Sequence, residues 1–192
     1  MKKGEWLLTL FNLAYIIGFT IYYYSIKDYE FLGYIAVLVV LFLVVAGTLR
    51  KTNFGYGILW ALTAWGLLHM LGGGLIINGS TLYALQLIPL WVTENFYVLK
   101  MDQVIHFYLY FVMVFVIWHL LKGNIKKKHW LVYVAVALVS IGISGLNEVA
   151  EFIMVLSLEN TGVGGYYNTA WDIVFNTLGA VAAGIIVYFR ER

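Results

Sequence analysis

Glu148 and Glu151 stand one helical turn apart inside a long apolar stretch of this 192-residue chain. His69, His106 and Asp172 interrupt other apolar stretches in the same way, and Asp102 lies at the edge of one. Two imidazoles and four carboxylates are the donor types of a divalent metal site. Imidazole with carboxylate favours Zn, Mn or Fe, whereas a carboxylate-only subset suits Mg or Ca. Four ionised carboxylates gathered in a low dielectric repel one another and need protons or a cation. A bound cation would also activate water near neutral pH, with one acid left as general base. The expected metal ligands are His69, Asp102, His106, Glu148, Glu151 and Asp172. Glu148 and Glu151 are the catalytic candidates, and Asn147 and Asn176 are expected to support them.

These residues must be positioned by elements that lie in a bilayer. The chain is 62% hydrophobic and only 11% charged, and long apolar runs of this kind mark an integral membrane protein. A charge at the centre of such a span is disfavoured by roughly 2.5–3.5 kcal/mol on insertion scales, so an ionisable residue there signals function by default. The expected fold is all-α and polytopic, one domain over residues 1–192. Six transmembrane helices are expected near 6–25, 31–49, 55–76, 103–121, 130–156 and 170–189. The first is read as a retained helix, because it lacks a small-residue cleavage site and ends in Tyr22, Tyr23 and Tyr24. With no cysteine in the chain, a thiolate metal site, a Cys nucleophile and a disulfide are all excluded.

Basic residues set the orientation. Lys2, Lys3, Arg50, Lys51, Lys122, Lys126, Lys127, Lys128, Arg190 and Arg192 fall on one side of the expected helices, and only Lys27 and Lys100 on the other. The positive-inside rule then puts both termini in the cytoplasm of a multi-pass cell (plasma) membrane protein. Residues 77–102 form a long, rather apolar outer loop, expected to lie in the interface or fold back as a lid.

Orientation converts sequence position into depth. His69, Asp102 with His106, Glu148 with Glu151, and Asp172 with Asn176 all fall in the outer part of their helices. Asp102 and His106 share a face at i,i+4, as do Asp172 and Asn176. Ser140, Ser144, Glu148 and Glu151 form a polar stripe, and Asp172, Asn176, Gly179 and Ala183 form another with small residues at its deeper end. Each part has a bland reading too. Asp102 with His106 is compatible with a helix cap or local hydrogen bond, Asp172 with a favourable macrodipole position, and Asn176 with interhelical adhesion. His119 and His129 read as structural and solvated, and Trp65 as core packing. The convergence of four helices at one depth carries the site.

The motifs His69-Met70-Leu71-Gly72-Gly73, Asp102-Gln103-Val104-Ile105-His106-Phe107, Asn147-Glu148-Val149-Ala150-Glu151-Phe152 and Gly164-Gly165-Tyr166-Tyr167-Asn168-Thr169-Ala170-Trp171-Asp172, followed by Asn176 and Gly179, resemble the six-helix membrane proteins of the YjdF type over about residues 55–185. A weaker likeness is to VanZ-like proteins, linked to glycopeptide resistance; the Arg-rich stretch expected there before the last helix is missing. The resemblance implies a shared site and names no reaction.

The expected function is a metal-dependent hydrolase acting at the outer leaflet on a membrane lipid or lipid-linked small molecule, with no nucleic-acid partner. Two rivals belong to other classes. One is a cation or proton transporter or channel, since intramembrane acids and histidines mark such paths; the other is a non-catalytic, metal-stabilised scaffold or sensor. Against a channel, the inner halves of the helices, such as Tyr110–Ile117 and Val181–Val187, offer no polar path.

Overall fold

The computed structural model describes residues 3–94 and 96–192; Lys2, part of the expected basic start, lies outside them. Six α-helices occur among the described residues: α1 Lys3–Ser25, α2 Tyr29–Thr52, α3 Tyr56–Gly74, α4 Met101–Leu121, α5 Trp130–Ser157 and α6 Tyr166–Arg190. Five of them, all but α3, are long and apolar enough to cross a membrane. Tyr56, Trp60, Trp65, His69 and three terminal glycines dilute the hydropathy of α3.

The chain forms two compact units, residues 1–83 and 84–192. In the first, α1, α2 and α3 pack around Tyr15, Ile16, Tyr23, Phe31, Ile35, Leu38 and Met70. Asp28 caps α2 by accepting from the Phe31 N–H at 3.0 Å, which satisfies one of the free donors at a helix start. Polar groups cross between α1 and α3: Asn12 Nδ2 donates to Thr63 Oγ1 at 2.9 Å, and the Tyr23 hydroxyl donates to the Met70 carbonyl at 2.6 Å. Gly72 and Gly73 let aromatic rings close on α3, because a Cβ at either position would meet the Tyr83 ring or the Phe31 ring.

The second unit is built from α4, α5 and α6. Gly179 brings α6 against the α4 backbone, since a Cβ there would collide with the Phe107 carbonyl. Ala180 and Ala183 are fully buried on the same helix. One end of this bundle is sealed by Val114, Ile117, Trp118, Tyr133, Val136, Ala180, Ala183 and Val187. The polar side chains lie toward the other end, at the start of α4, the last third of α5 and the start of α6.

The stretch 77–102 is not an irregular loop. It carries two antiparallel hairpins: β1 Ile76–Ile77 with β2 Ser80–Thr81, and β3 Gln86–Val92 with β4 Tyr97–Lys100. Asn78 and Gly79 turn the first with positive φ at both positions, 51° and 82°, which is the conformation a two-residue primed turn demands. Every residue of β3 is exposed, including Leu87, Ile88, Leu90 and Trp91. β4 runs straight into α4, where the Gln103 side chain accepts from the Lys100 N–H at 3.1 Å and donates to the Tyr97 carbonyl at 3.2 Å.

Candidate functional site

Five of the six expected ligands meet in the second unit. Their donor atoms form two overlapping triads, Asp102–His106–Asp172 and Glu148–Glu151–Asp172, and within each triad the atoms lie no more than 4.8 Å apart. Asp172 is fully buried, and Asp102 and Glu148 are each 8% exposed. The i,i+4 and i,i+3 spacings put each pair on one helix face, and the Gly179–Phe107 approach brings α6 to α4 one turn below.

Asn176 fixes the hydrogen bonding of the cluster. It is fully buried, and its Nδ2 donates to Glu148 Oε1 at 3.2 Å. The amide oxygen Oδ1 therefore faces His106 Nδ1, at 3.1 Å, and an acceptor there requires the proton on Nδ1. In the neutral ring His106 Nε2 then carries the lone pair, and in the charged ring a second proton. It points at Asp102 Oδ1, 3.5 Å away, and Glu151 Oε1, 4.0 Å away. A lone pair facing two carboxylate oxygens is repulsive unless a proton or a metal ion lies between them. A buried amide oxygen on Nδ1 holds the ring in one orientation. The other carboxylates are held likewise: Asn147 Nδ2 donates to Glu151 Oε1 at 2.8 Å, and Asn168 Nδ2 to Asp172 Oδ2 at 2.6 Å.

Two buried carboxylate oxygens in the cluster have no hydrogen-bond partner among the described residues, Glu148 Oε2 and Asp172 Oδ1. Buried polar atoms are nearly always paired, and an unpaired charged oxygen is far more costly than a neutral one. Both orphans belong to the all-carboxylate triad.

Two residues not counted among the expected ligands complete the arrangement. Lys100 Nζ lies 2.8 Å from Asp102 Oδ2 and also donates to Asn168 Oδ1. Asn168 is four residues before Asp172, so the rule that paired Asp172 with Asn176 would have found it. Lys100 sits on β4, where helical spacing gives no signal. Together with Phe96, Tyr97, Gln103, Gly164, Gly165, Tyr166, Tyr167 and Trp171 they line a cavity of about 340 Å³. Trp91 packs edge-on against Trp171 beside it.

His69 lies in the first unit. Its ring stacks on Trp65, with centroids 5.5 Å apart at 17°, and meets Tyr34 edge-on at 5.2 Å. Nδ1 is hydrogen-bonded to the Tyr83 hydroxyl. Trp65 therefore packs on His69 within a core of aromatic rings. His129 caps α5, accepting from the Leu131 N–H at 3.4 Å.

The apolar helices and the buried acid–imidazole cluster define a helical membrane protein with a polar site built into its bundle. The chain belongs to the family described as Predicted membrane protein (DUF2238), whose model matches residues 5–192. No curated protein and no solved structure matches it.

Proposed function

We propose that this protein is a metal-dependent hydrolase of the membrane, acting on a lipid or lipid-linked substrate. The observation that carries the reading is the meeting of His106 Nε2 and four carboxylates, two of whose buried oxygens lack partners among the described residues. A divalent cation among these atoms answers both the lone-pair conflict and the orphaned oxygens. Asp102, His106, Asp172 and one of the two glutamates are its proposed ligands. The proposal does not use His69, whose Nδ1 is engaged by Tyr83. The cation would polarise the substrate and supply hydroxide at neutral pH. Glu148 or Glu151, whichever is not bound to the metal, would take the proton from water as general base.

The cavity beside the cluster is the proposed entry for a headgroup, with the exposed apolar β3 hairpin against acyl chains. Lys100 reaches both the cavity and Asp102. We place the site at the outer leaflet of the plasma membrane, with both termini cytoplasmic and α3 as a sixth span. Its 19 residues would cover about 28 Å at ~1.5 Å per residue. The motif likeness to YjdF-type proteins is compatible with this placement.

The rival transporter reading needs a continuous polar path. The apolar plug of Val114, Ile117, Trp118, Val136, Ala180 and Ala183 at the far end of the second unit argues against one. Reconstituted protein decides. Metal-dependent release of a headgroup from lipid, lost in Glu148→Gln and without ion flux, is the expected result. Metal-dependent proton or cation flux abolished by Glu151→Gln, with no turnover, would overturn the enzyme reading.

A further inference from the structure

We infer that the cluster is a two-cation centre in which Asp172 bridges the ions. This rests on the metal reading above and goes beyond it in number and arrangement. The donors do not form one shell. They fall into two triads that share only Asp172. The first contains His106, whose lone pair is directed by Asn176. The second contains carboxylates alone.

The two oxygens of Asp172 suit a bridge. Oδ1 is buried without a partner, and Oδ2 accepts one hydrogen bond, from Asn168, which leaves a lone pair. A carboxylate has about four lone-pair positions, so each oxygen has capacity for one ion. Glu148 has the matching feature on the second side. Oε1 is held by Asn176, and Oε2 is buried and unpartnered. A single ion at His106 could take the orphaned oxygen of the shared Asp172, but it would leave Glu148 Oε2, which belongs to the second triad alone, without a partner.

Charge points the same way. Asp102, Glu148, Glu151 and Asp172 carry four negative charges when ionised, and Lys100, paired to Asp102, is the cation beside them. One divalent ion leaves the group negative in a low dielectric. Two divalent ions and a bridging hydroxide, with Lys100, bring it to neutrality. The two positions also differ in chemistry. The imidazole-containing triad suits Zn, Mn or Fe, and the all-carboxylate triad suits Mg or Mn. Mn2+ fits both and reports pairing in its spectrum, which makes it the probe.

The test uses full-length protein purified in detergent, stripped with chelator and reloaded with Mn2+. The readouts are bound metal and the electron paramagnetic resonance spectrum. The inference predicts about two equivalents per chain and an exchange-coupled pair, as ions roughly 3.5–4 Å apart give. Glu151→Gln, which removes a carboxylate of the second triad and leaves Asp102, His106 and Asp172 in place, should leave about one equivalent with an uncoupled spectrum. Asp172→Asn should lose both ions. Unfolding midpoints of the variants, taken without metal, separate loss of binding from loss of fold. About one equivalent in the wild type, uncoupled and unchanged by Glu151→Gln, would overturn the two-cation centre and leave the metal hydrolase standing. No bound Mn2+ in folded wild type would overturn both.

Discussion

Gly179→Ala should damage the site without touching a ligand. The new Cβ would be driven into the Phe107 carbonyl oxygen, and would lie 3.0 Å from its carbon and 3.2 Å from its Cα. All three are backbone atoms, so no side-chain rotation relieves the clash. Ordinary carbon contacts begin near ~3.5 Å, so α6 must retreat from α4 by about 1 Å. Overpacking of this kind typically costs about 1–3 kcal/mol. The same shift carries Asp172 and Asn176 on α6 away from His106 on α4. Functional constellations tolerate only ~0.5 Å, and loss of supporting geometry lowers metal affinity by about 10–100-fold. The control is Gly142→Ala on α5, where a Cβ meets nothing within 4 Å; the helix propensity gain is ~1 kcal/mol. The assay is thermal unfolding in detergent with a metal titration on each variant. If Gly179→Ala binds and unfolds as the wild type does, the α4–α6 approach does not set the site.

The end of the second unit opposite the cluster is tied by Glu191, which accepts from Lys128 Nζ at 2.6 Å and from Trp118 Nε1 at 3.0 Å. These two donors hold its carboxyl below the usual range, and the same bond raises the Lys128 ammonium. Because the Glu191 pKa falls on folding, its contribution is present above the unfolded value of about 4.3 and is lost as pH falls through the folded value. The stability gap between wild type and Glu191→Gln should therefore be constant near neutral pH and close below about pH 4; a gap that persists in acid contradicts the clasp. In the first unit, Tyr23→Phe removes the bond to the Met70 carbonyl and should lower stability by about 1 kcal/mol, read as a lower unfolding midpoint. An unchanged midpoint would show that bond to be idle.

The helices were legible because apolar runs of spanning length have few alternatives, and their observed ends lie within a few residues of expectation. The pairs Asp102–His106, Glu148–Glu151 and Asp172–Asn176 were legible because helical spacing fixes which residues share a face. The hairpins of 76–100 were not read, although Asn78-Gly79 is a strong two-residue turn signal; the apolar character of Leu82–Trp91 suggested an interfacial loop instead. Lys100 was legible as a basic residue on the outer side, but its pairing with Asp102 was not, for a physical reason. It reaches the cluster from a strand end, and strand pairing between Gln86 and Lys100 cannot be inferred from helical periodicity. His69 has local surroundings that spacing did not reveal. Gly72 and Gly73 admit Tyr83 and Phe31 around it, and close approaches of that kind are set by tertiary packing.

A divalent cation held by the acid–imidazole cluster of α4, α5 and α6 would be visible by anomalous diffraction from crystals of Mn2+- or Zn2+-loaded protein. The expected map has an anomalous peak within coordination distance of Asp172 and His106 Nε2, absent in Asp172→Asn. A map with no peak among Asp102, His106, Glu148, Glu151 and Asp172, or with its only peak at His69 or His129, would contradict it.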